Sequence, residues 1–80
     1  MRPIRYSSTA TRQLAVLSKK VREAVIAKIH RYAETGAGDV KALQGVKALR
    51  LRVGYYRVVF SQTAEDITIL EVTHRRDIYR

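Results

Sequence analysis

The side chains of this 80-residue chain that could do chemistry are mainly cationic and aromatic. The chain carries 16 Lys and Arg, five Tyr and two His, and it has no Cys. Cleavage of RNA by its own 2′-hydroxyl needs a base for that hydroxyl, cations for the charge that develops around phosphorus, and an acid for the leaving 5′-oxygen. Arg, His and Tyr side chains can fill these roles without a metal, so this set of residues suits metal-free RNA cleavage.

Other catalytic chemistries have little support in the sequence. The lack of Cys excludes thiol catalysis, disulfides and Cys-based zinc sites. Because His30 and His74 are the only imidazoles and the four glycines are scattered, we expect no metal, no cofactor and no Gly-rich phosphate loop. The neighbours Glu65 and Asp66 fall in a predicted turn. Glu71 lies among cations, which favours a salt bridge over a role as an acid.

The excess of positive charge points to a polyanionic partner. Sixteen cationic and seven acidic residues give a net charge of +9. Nucleic acid is the first candidate, an acidic protein the second and a membrane surface the third; the alternative is a charge that only confers solubility. No window approaches the ~18 apolar residues of a membrane span, and the N-terminal residues lack the apolar run of a signal peptide. We therefore expect one cytoplasmic domain, residues 1–80, without a membrane segment.

The N-terminal half predicts a strand followed by two helices. Residues 3–7 are typical of a short edge strand, and the hydroxyl residues at 7–9 offer caps for a first helix. Ser18 can cap a second helix over residues 19–35, whose apolar side chains recur along one stripe. Gly36 fits the C-terminal end of that helix. The short connection between the helices predicts an αα-hairpin.

The C-terminal half changes to an apolar period of two, which predicts three strands. Gly54 and Tyr55 suit a two-residue hairpin turn, and this turn sets Arg52 opposite Arg57. Residues 66–72 form the third predicted strand. The order β-α-α-β-β-β predicts an α+β fold, in which a small, mostly antiparallel sheet carries a helical hairpin on one face.

The predicted register separates apolar from cationic side chains along the hairpin. A slip of one residue would bury the arginines, so the cost of burying charge supports this register. Arg52 and Arg57 lie directly opposite each other in this register, and like charges in that position repel. The pairing therefore favours the interpretation that this face binds phosphate over the interpretation that it is only solvated. Residues 40–64 contain no acid, and their cations are Lys41, Lys47, Arg50, Arg52 and Arg57.

Two segments carry a family resemblance. They are residues 49–60, Leu-Arg-Leu-Arg-Val-Gly-Tyr-Tyr-Arg-Val-Val-Phe, and residues 69–80, Ile-Leu-Glu-Val-Thr-His-Arg-Arg-Asp-Ile-Tyr-Arg. Together with residues 38–45, they resemble the RelE/ParE superfamily of bacterial toxin–antitoxin toxins. The resemblance covers essentially the whole chain, and its most specific part is residues 38–80.

The resemblance implies one of two activities. The RelE branch cleaves mRNA without a metal, typically in the A site of the ribosome, whereas the ParE branch poisons DNA gyrase. The RelE branch uses basic residues on the hairpin and a basic residue and a Tyr near the C-terminus. By motif, Arg50 and Arg57 match the hairpin positions, and Arg75 and Tyr79 match the C-terminal pair, with His74 a further candidate acid or base. The ParE branch generally lacks the C-terminal pair, which favours the RelE branch here.

The sequence also departs from the family pattern at the hairpin. Tyr55 replaces the usual acid of the turn, which puts an aromatic ring where a base could stack. The strand before the turn lacks a lysine found in some relatives, and Lys47 is the nearest one. The general base is therefore open between Tyr79, His74 and Lys47.

The resemblance thus predicts a toxin that is a ribosome-dependent mRNA endonuclease. Arg57 and Arg75 hold the scissile phosphate, Arg50 assists, and Tyr79 and His74 handle protons or stack on a base. The expected partners are mRNA, the 70S ribosome and a cognate antitoxin with an acidic, partly disordered segment, while operator DNA is bound only through the toxin–antitoxin complex. The alternatives are a gyrase inhibitor and a non-catalytic nucleic-acid-binding module. The expected RNA-binding residues are Lys41, Lys47, Arg52 and Arg76.

Overall fold

The helices and strands follow the predicted order with one additional strand. A computed structural model describes residues 2–74. Strand β2 is the addition: it has no buried residue and lacks the apolar alternation of the other strands. Its backbone is ordered by pairing with β3 rather than by a pattern of its own. In chain order the elements are β1 (Ile4–Tyr6), α1 (Ser8–Ala15), α2 (Lys19–Thr35), β2 (Asp39–Ala42), β3 (Leu49–Val53), β4 (Tyr56–Gln62) and β5 (Ile67–His74).

Both helices begin at serine caps. The Ser7 hydroxyl oxygen accepts a hydrogen bond from the Ala10 amide at 2.9 Å, at the start of α1. Ser18 caps α2 in the same way, and Gly36 ends α2 with a φ of 75°, a conformation that glycine adopts without strain. The bounds and both caps of α2 are those predicted from the sequence.

The five strands form one sheet in the order β1-β5-β4-β3-β2. β1 lies parallel to β5 at one edge, and the other neighbours are antiparallel. The predicted hairpin register is confirmed, because Arg52 pairs with Arg57 and Val53 with Tyr56. The α+β class and the mostly antiparallel sheet are confirmed with it.

Both helices pack against the same face of the sheet. Side chains alternate along each strand, so every second residue of β3 and β4 points toward the helices and the others point away; β5 follows the same alternation on either side of one irregularity. The core residues are Ala10, Leu14, Val25, Ile29, Ala33, Leu51, Val58, Phe60, Ile67, Ile69 and Val72. The sheet face that points away from the helices, here called the open face, is left for polar side chains. Neither helix of residues 2–74 is long and apolar enough to cross a membrane.

Candidate active site

Cations dominate the open face of the sheet. The register places its residues in two adjacent rows that cross four strands. Residues directly opposite each other on neighbouring strands have Cβ atoms about 4.5–5.5 Å apart, so the positive charges of the two rows are close together. The first row contains Asp39, Arg52, Arg57 and Thr73, and the second contains Lys41, Arg50, Val59 and Glu71.

Two arginines of the open face are partly withdrawn from solvent. The Arg50 side chain is only 19% exposed, and its Nη1 lies 3.8 Å from Oδ1 of Asp39, an ion pair too long for a hydrogen bond. This nitrogen and Nε of Arg57 are buried and have no hydrogen-bond partner within residues 2–74. Buried donors are normally paired, and charged donors without a partner favour an approaching anion.

A groove with a volume of about 590 Å³ lies beside Arg57. Strands β4 and β5 form one part of it, and the loop between β2 and β3 forms another. The groove combines a cation, a carboxylate and a hydroxyl with apolar side chains, a combination that suits a phosphate together with an unstacked base. Its lining residues are Leu43, Val46, Ala48, Arg57, Val59, Leu70, Glu71 and Thr73.

A β-bulge in β5 turns two consecutive residues toward this groove. Val59 and Phe60 are adjacent on β4, but their partners on β5, Glu71 and Ile69, are separated by Leu70. Leu70 is therefore the extra residue, and it lines the groove together with Glu71. Bulges re-aim side chains and are common beside active sites.

Glu71 does not form the salt bridge that the sequence predicted within the described part of the chain. Its side chain is exposed, and within the described part of the chain it makes no ion pair. The sequence did not indicate Glu71 as a site residue, although residues two apart on a strand, such as Glu71 and Thr73, lie on the same side of it. The structure adds the groove that these two residues share with Arg57.

The remaining predicted RNA-binding residues in the described range are all exposed, and two of them lie directly opposite Arg50 and Arg57. Arg52 is exposed and lies directly opposite Arg57. Lys41 is exposed on β2 and lies opposite Arg50. Lys47 is exposed in the loop between β2 and β3, beside two residues of the groove wall. These positions extend the positive surface away from the groove.

His74 lies on the helix side of the sheet rather than with Arg57. It pairs with Tyr56 on β4, one position beyond the pair formed by Thr73 and Arg57. Its ring stacks on Tyr55, with centroids 6.2 Å apart and planes 17° apart, and it meets the Tyr56 ring edge-on at 5.0 Å. Tyr55 is 69% exposed, so His74 belongs to an aromatic cluster with a solvent-facing ring near the hairpin turn.

Arg75, Arg76 and Tyr79 lie outside the described residues, and the roles predicted for them stay predictions. From Arg2 to His74 no group of three or more His, Asp or Glu side chains is arranged to hold a metal ion. The polar residues that line the groove are Arg57, Glu71 and Thr73, and Arg50 lies in the same row as Glu71, on the far side of Val59.

Comparison with known proteins assigns the family. A family model described as the ParE toxin of the type II toxin–antitoxin system, parDE, matches residues 4–79. The chain belongs to this toxin family. The predicted membership of the RelE/ParE superfamily is confirmed. A comparison of the toxin with curated proteins finds no match.

Solved structures of other toxins share the fold of this toxin. A chain of the RelB–RelE antitoxin–toxin complex from Methanococcus jannaschii is 22% identical, with a TM-score of 0.77 and 94% of each chain covered. The YoeB dimer from Staphylococcus aureus is 17% identical, with a TM-score of 0.77 over 91% of the toxin and 95% of the YoeB chain. A YafQ variant from E. coli is 11% identical, with a TM-score of 0.78 and 100% of each chain covered. At these identities the likeness shows the fold alone.

Proposed function

We propose that this toxin cleaves mRNA on the ribosome through attack of a 2′-hydroxyl on the adjacent phosphate, without a metal or other cofactor. The observation that carries the proposal is that Nη1 of Arg50 and Nε of Arg57, both on the open face, are buried and have no hydrogen-bond partner in the described residues. They lie on a face with a groove large enough for a nucleotide. A surface that served only solubility would gain nothing from charged donors withdrawn from water.

The arginines would act on the charge that develops during cleavage. The attack of O2′ on phosphorus gives a phosphorane with more negative charge on its oxygens than the ground state has. Arg57 and Arg75 hold and neutralise that phosphate, and Arg50 assists from the neighbouring row. A guanidinium is planar and always charged, so it can bind two phosphate oxygens at once. The products are a 2′,3′-cyclic phosphate, or the 3′-phosphate formed when it opens, and a 5′-hydroxyl.

The aromatic residues would handle protons and bases. Tyr79 is the candidate acid for the leaving 5′-oxygen. The exposed ring of Tyr55, which stacks on His74, supports a stacking role for this pair on a base of the bound RNA. The contacts to the backbone of mRNA or ribosomal RNA come from Lys41, Lys47, Arg52 and Arg76.

The toxin would be neutralised by a cognate antitoxin. Solved relatives with this fold include antitoxin–toxin complexes, and the net charge of +9 favours an acidic partner. An acidic, partly disordered antitoxin segment would cover the open face and compete with RNA for Arg50 and Arg57. The complex, rather than the toxin alone, would bind operator DNA. The site of action is the cytoplasm, where the ribosomes are.

Inhibition of DNA gyrase is the second candidate function. The matching family model bears the name of ParE toxins, and the ParE branch poisons gyrase. In that case the toxin binds a protein and cuts no RNA, and the groove of the open face is not a catalytic site. A non-catalytic nucleic-acid-binding module is the third alternative, and it would bind polyanions with a steep salt dependence.

Primer extension in a reconstituted translation reaction tests the proposal. The wild-type toxin should cut a defined mRNA at A-site codons, and only when ribosomes are present. Arg57→Ala should reduce the cleavage rate by about 100- to 1000-fold, as for the loss of one donor to a developing oxyanion. Arg75→Ala should have a comparable effect. Arg31→Ala, on an exposed face of α2, is the matched control and should cut like wild type.

The same reaction distinguishes the candidates. Intact mRNA in the presence of active ribosomes would contradict the proposal, and a supercoiling assay with purified gyrase would then be the next measurement. Inhibition of supercoiling would establish the second candidate. Binding of RNA without cleavage and without gyrase inhibition would establish the third.

A further inference from the structure

We propose that Glu71 is the general base that removes the proton from the attacking 2′-hydroxyl. This inference rests on the proposed function, because it assigns a role within the same groove. Of the residues that line the groove, Glu71 is the one that carries a carboxylate, whose oxygens can accept a proton. The guanidinium of Arg57 offers only donors, and the other lining side chains are a threonine hydroxyl or apolar.

The register places Glu71 at a useful distance from Arg57. Thr73 lies directly opposite Arg57, and Glu71 is two residues earlier on β5, so Glu71 and Arg57 are diagonal neighbours on the open face. Diagonal neighbours are about 7–8 Å apart between backbone positions. A phosphate bound by Arg57 can therefore lie between the two side chains, with its neighbouring 2′-hydroxyl toward the carboxylate.

The carboxylate of Glu71 is not engaged elsewhere in the described part of the chain. The other carboxylate in the two rows, Asp39, forms an ion pair with Arg50 at 3.8 Å. Glu71 makes no ion pair with any residue from Arg2 to His74, although the protein has a net charge of +9. A carboxylate held by an arginine is a weak proton acceptor, whereas an unengaged one in a groove can accept the proton.

The backbone that carries Glu71 is fixed from both sides of the bulge. The Ser7 hydroxyl donates a hydrogen bond to the carbonyl of Leu70 at 2.8 Å. The amide of Val72 donates to the side-chain oxygen of Gln13 on α1 at 2.5 Å. These two contacts satisfy backbone groups immediately before and after Glu71. They hold the bulge in the conformation that turns Glu71 toward the groove.

The other candidate bases in the described residues are less well placed. His74 lies on the helix side of the sheet, next to Tyr55 and Tyr56. Lys47 is a cation in an exposed loop and does not line the groove. Neither lines the groove that contains Arg57.

The proton of the 2′-hydroxyl passes to the Glu71 carboxylate while the O2′–P bond forms. The P–O5′ bond then breaks with its electron pair going to O5′, which takes a proton from the acid of the proposed site. Glu71 returns its proton to water, and water reprotonates the acid. No metal, oxidant or reductant takes part.

Single-turnover cleavage of an mRNA codon in the A site of 70S ribosomes, with toxin in excess, tests this role. Glu71→Gln keeps the size of the side chain and removes the base, so the rate should fall about 100-fold or more. Glu65→Gln, which makes the same charge change in the turn before β5, is the control and should cut at the wild-type rate. Binding is measured separately, with an mRNA whose scissile nucleotide carries a 2′-deoxyribose. Glu71→Gln should bind it at least as tightly as wild type, because a negative charge near phosphate has been removed.

The pH dependence of the cleavage rate distinguishes a general base from a residue that only supports the structure. Without its base, the Glu71→Gln variant should rely on hydroxide, and its remaining rate should rise by about tenfold per pH unit, more steeply than the wild-type rate. A loss of rate smaller than tenfold, or binding weakened in proportion to the rate, would overturn the assignment of Glu71 and leave the proposed function intact. Absence of cleavage by the wild-type toxin itself would overturn both.

Discussion

Replacement of Arg57 by methionine should stabilise the toxin while it abolishes cleavage. The Nε of Arg57 is buried without a hydrogen-bond partner in the described residues, and Arg52 lies directly opposite it. Both features oppose folding, and both disappear in Arg57→Met. Methionine retains an unbranched chain of similar length, so the packing of the aliphatic part of Arg57 against its neighbours is kept.

The size of the gain follows from these two features. A buried donor without a partner costs about 1–3 kcal/mol, and about 1 kcal/mol is appropriate for the half-buried Arg57. Removal of the like-charge pair with Arg52 adds about 0.2–1 kcal/mol. The expected gain in the free energy of unfolding is therefore about 1–2 kcal/mol. An entropy of unfolding of about 2.1 cal/mol/K per residue converts this gain into a rise in Tm of about 6–12 °C for 80 residues.

Thermal unfolding followed by circular dichroism at pH 7 measures the effect. Arg31→Met is the matched control, because it makes the same exchange at an exposed position of α2 and should change stability by less than about 0.5 kcal/mol. In 1 M salt the contribution of Arg52 should be screened, leaving about 1 kcal/mol. A Tm for Arg57→Met at or below that of wild type would refute the reasoning, because it would show that Arg57 contributes to folding rather than to a ligand.

Three further outcomes are expected. Tyr55→Ala should weaken binding of single-stranded RNA by about 10- to 100-fold in a filter-binding assay, because a stacked base contributes about 1–3 kcal/mol. Tyr55→Phe keeps the ring and should bind like wild type. Equal binding by both variants would exclude stacking. Burial raises the pKa of Tyr6 above 10.0, so its contribution to stability is complete below the pKa of the unfolded chain and is lost as pH rises through the folded pKa. Urea unfolding between pH 8 and 11 should therefore show a smaller alkaline loss for Tyr6→Phe than for wild type, and identical losses would contradict this. A Cβ at Gly38, where φ is 149°, would lie 2.8 Å from Cδ1 of Leu51, so Gly38→Ala should lower the free energy of unfolding by about 1–3 kcal/mol. Gly45→Ala meets no neighbouring atom and should cost less in the same urea titration.

The parts of the fold that could be predicted are those that local chemistry determines. Ser18 and Gly36 define the ends of α2 because a hydroxyl cap and a left-handed glycine are local requirements. The hairpin register followed from the cost of burying Arg50, Arg52 and Arg57, since a slip of one residue would turn all three into the core.

The parts that could not be predicted depend on contacts between distant residues. β2 has no apolar alternation, so nothing local marks it as a strand. Because β2 was not predicted, the ion pair between Asp39 and Arg50 could not be predicted either. The bulge at Leu70 depends on pairing with β4 and on contacts with α1, which no local pattern in β5 reveals.

The candidate site was likewise predictable only in part. The cationic face was predictable from alternation, but the groove beside Arg57 was not, because Leu43 and Val46 reach it from a loop whose path depends on β2. His74 was grouped with the arginines because it stands beside Arg75 in the C-terminal motif. The register separates His74 from Arg57, since Thr73, which pairs with Arg57, and His74 point to opposite sides of the sheet.

The most direct test of the central claim is cleavage of an A-site mRNA whose scissile nucleotide carries either a ribose or a 2′-deoxyribose. The wild-type toxin should cut the ribose substrate to give a 2′,3′-cyclic phosphate or 3′-phosphate and a 5′-hydroxyl. It should bind the 2′-deoxy substrate without cutting it. Cleavage of the 2′-deoxy substrate, or products with a 5′-phosphate, would contradict attack by the 2′-hydroxyl and with it the role assigned to the open face.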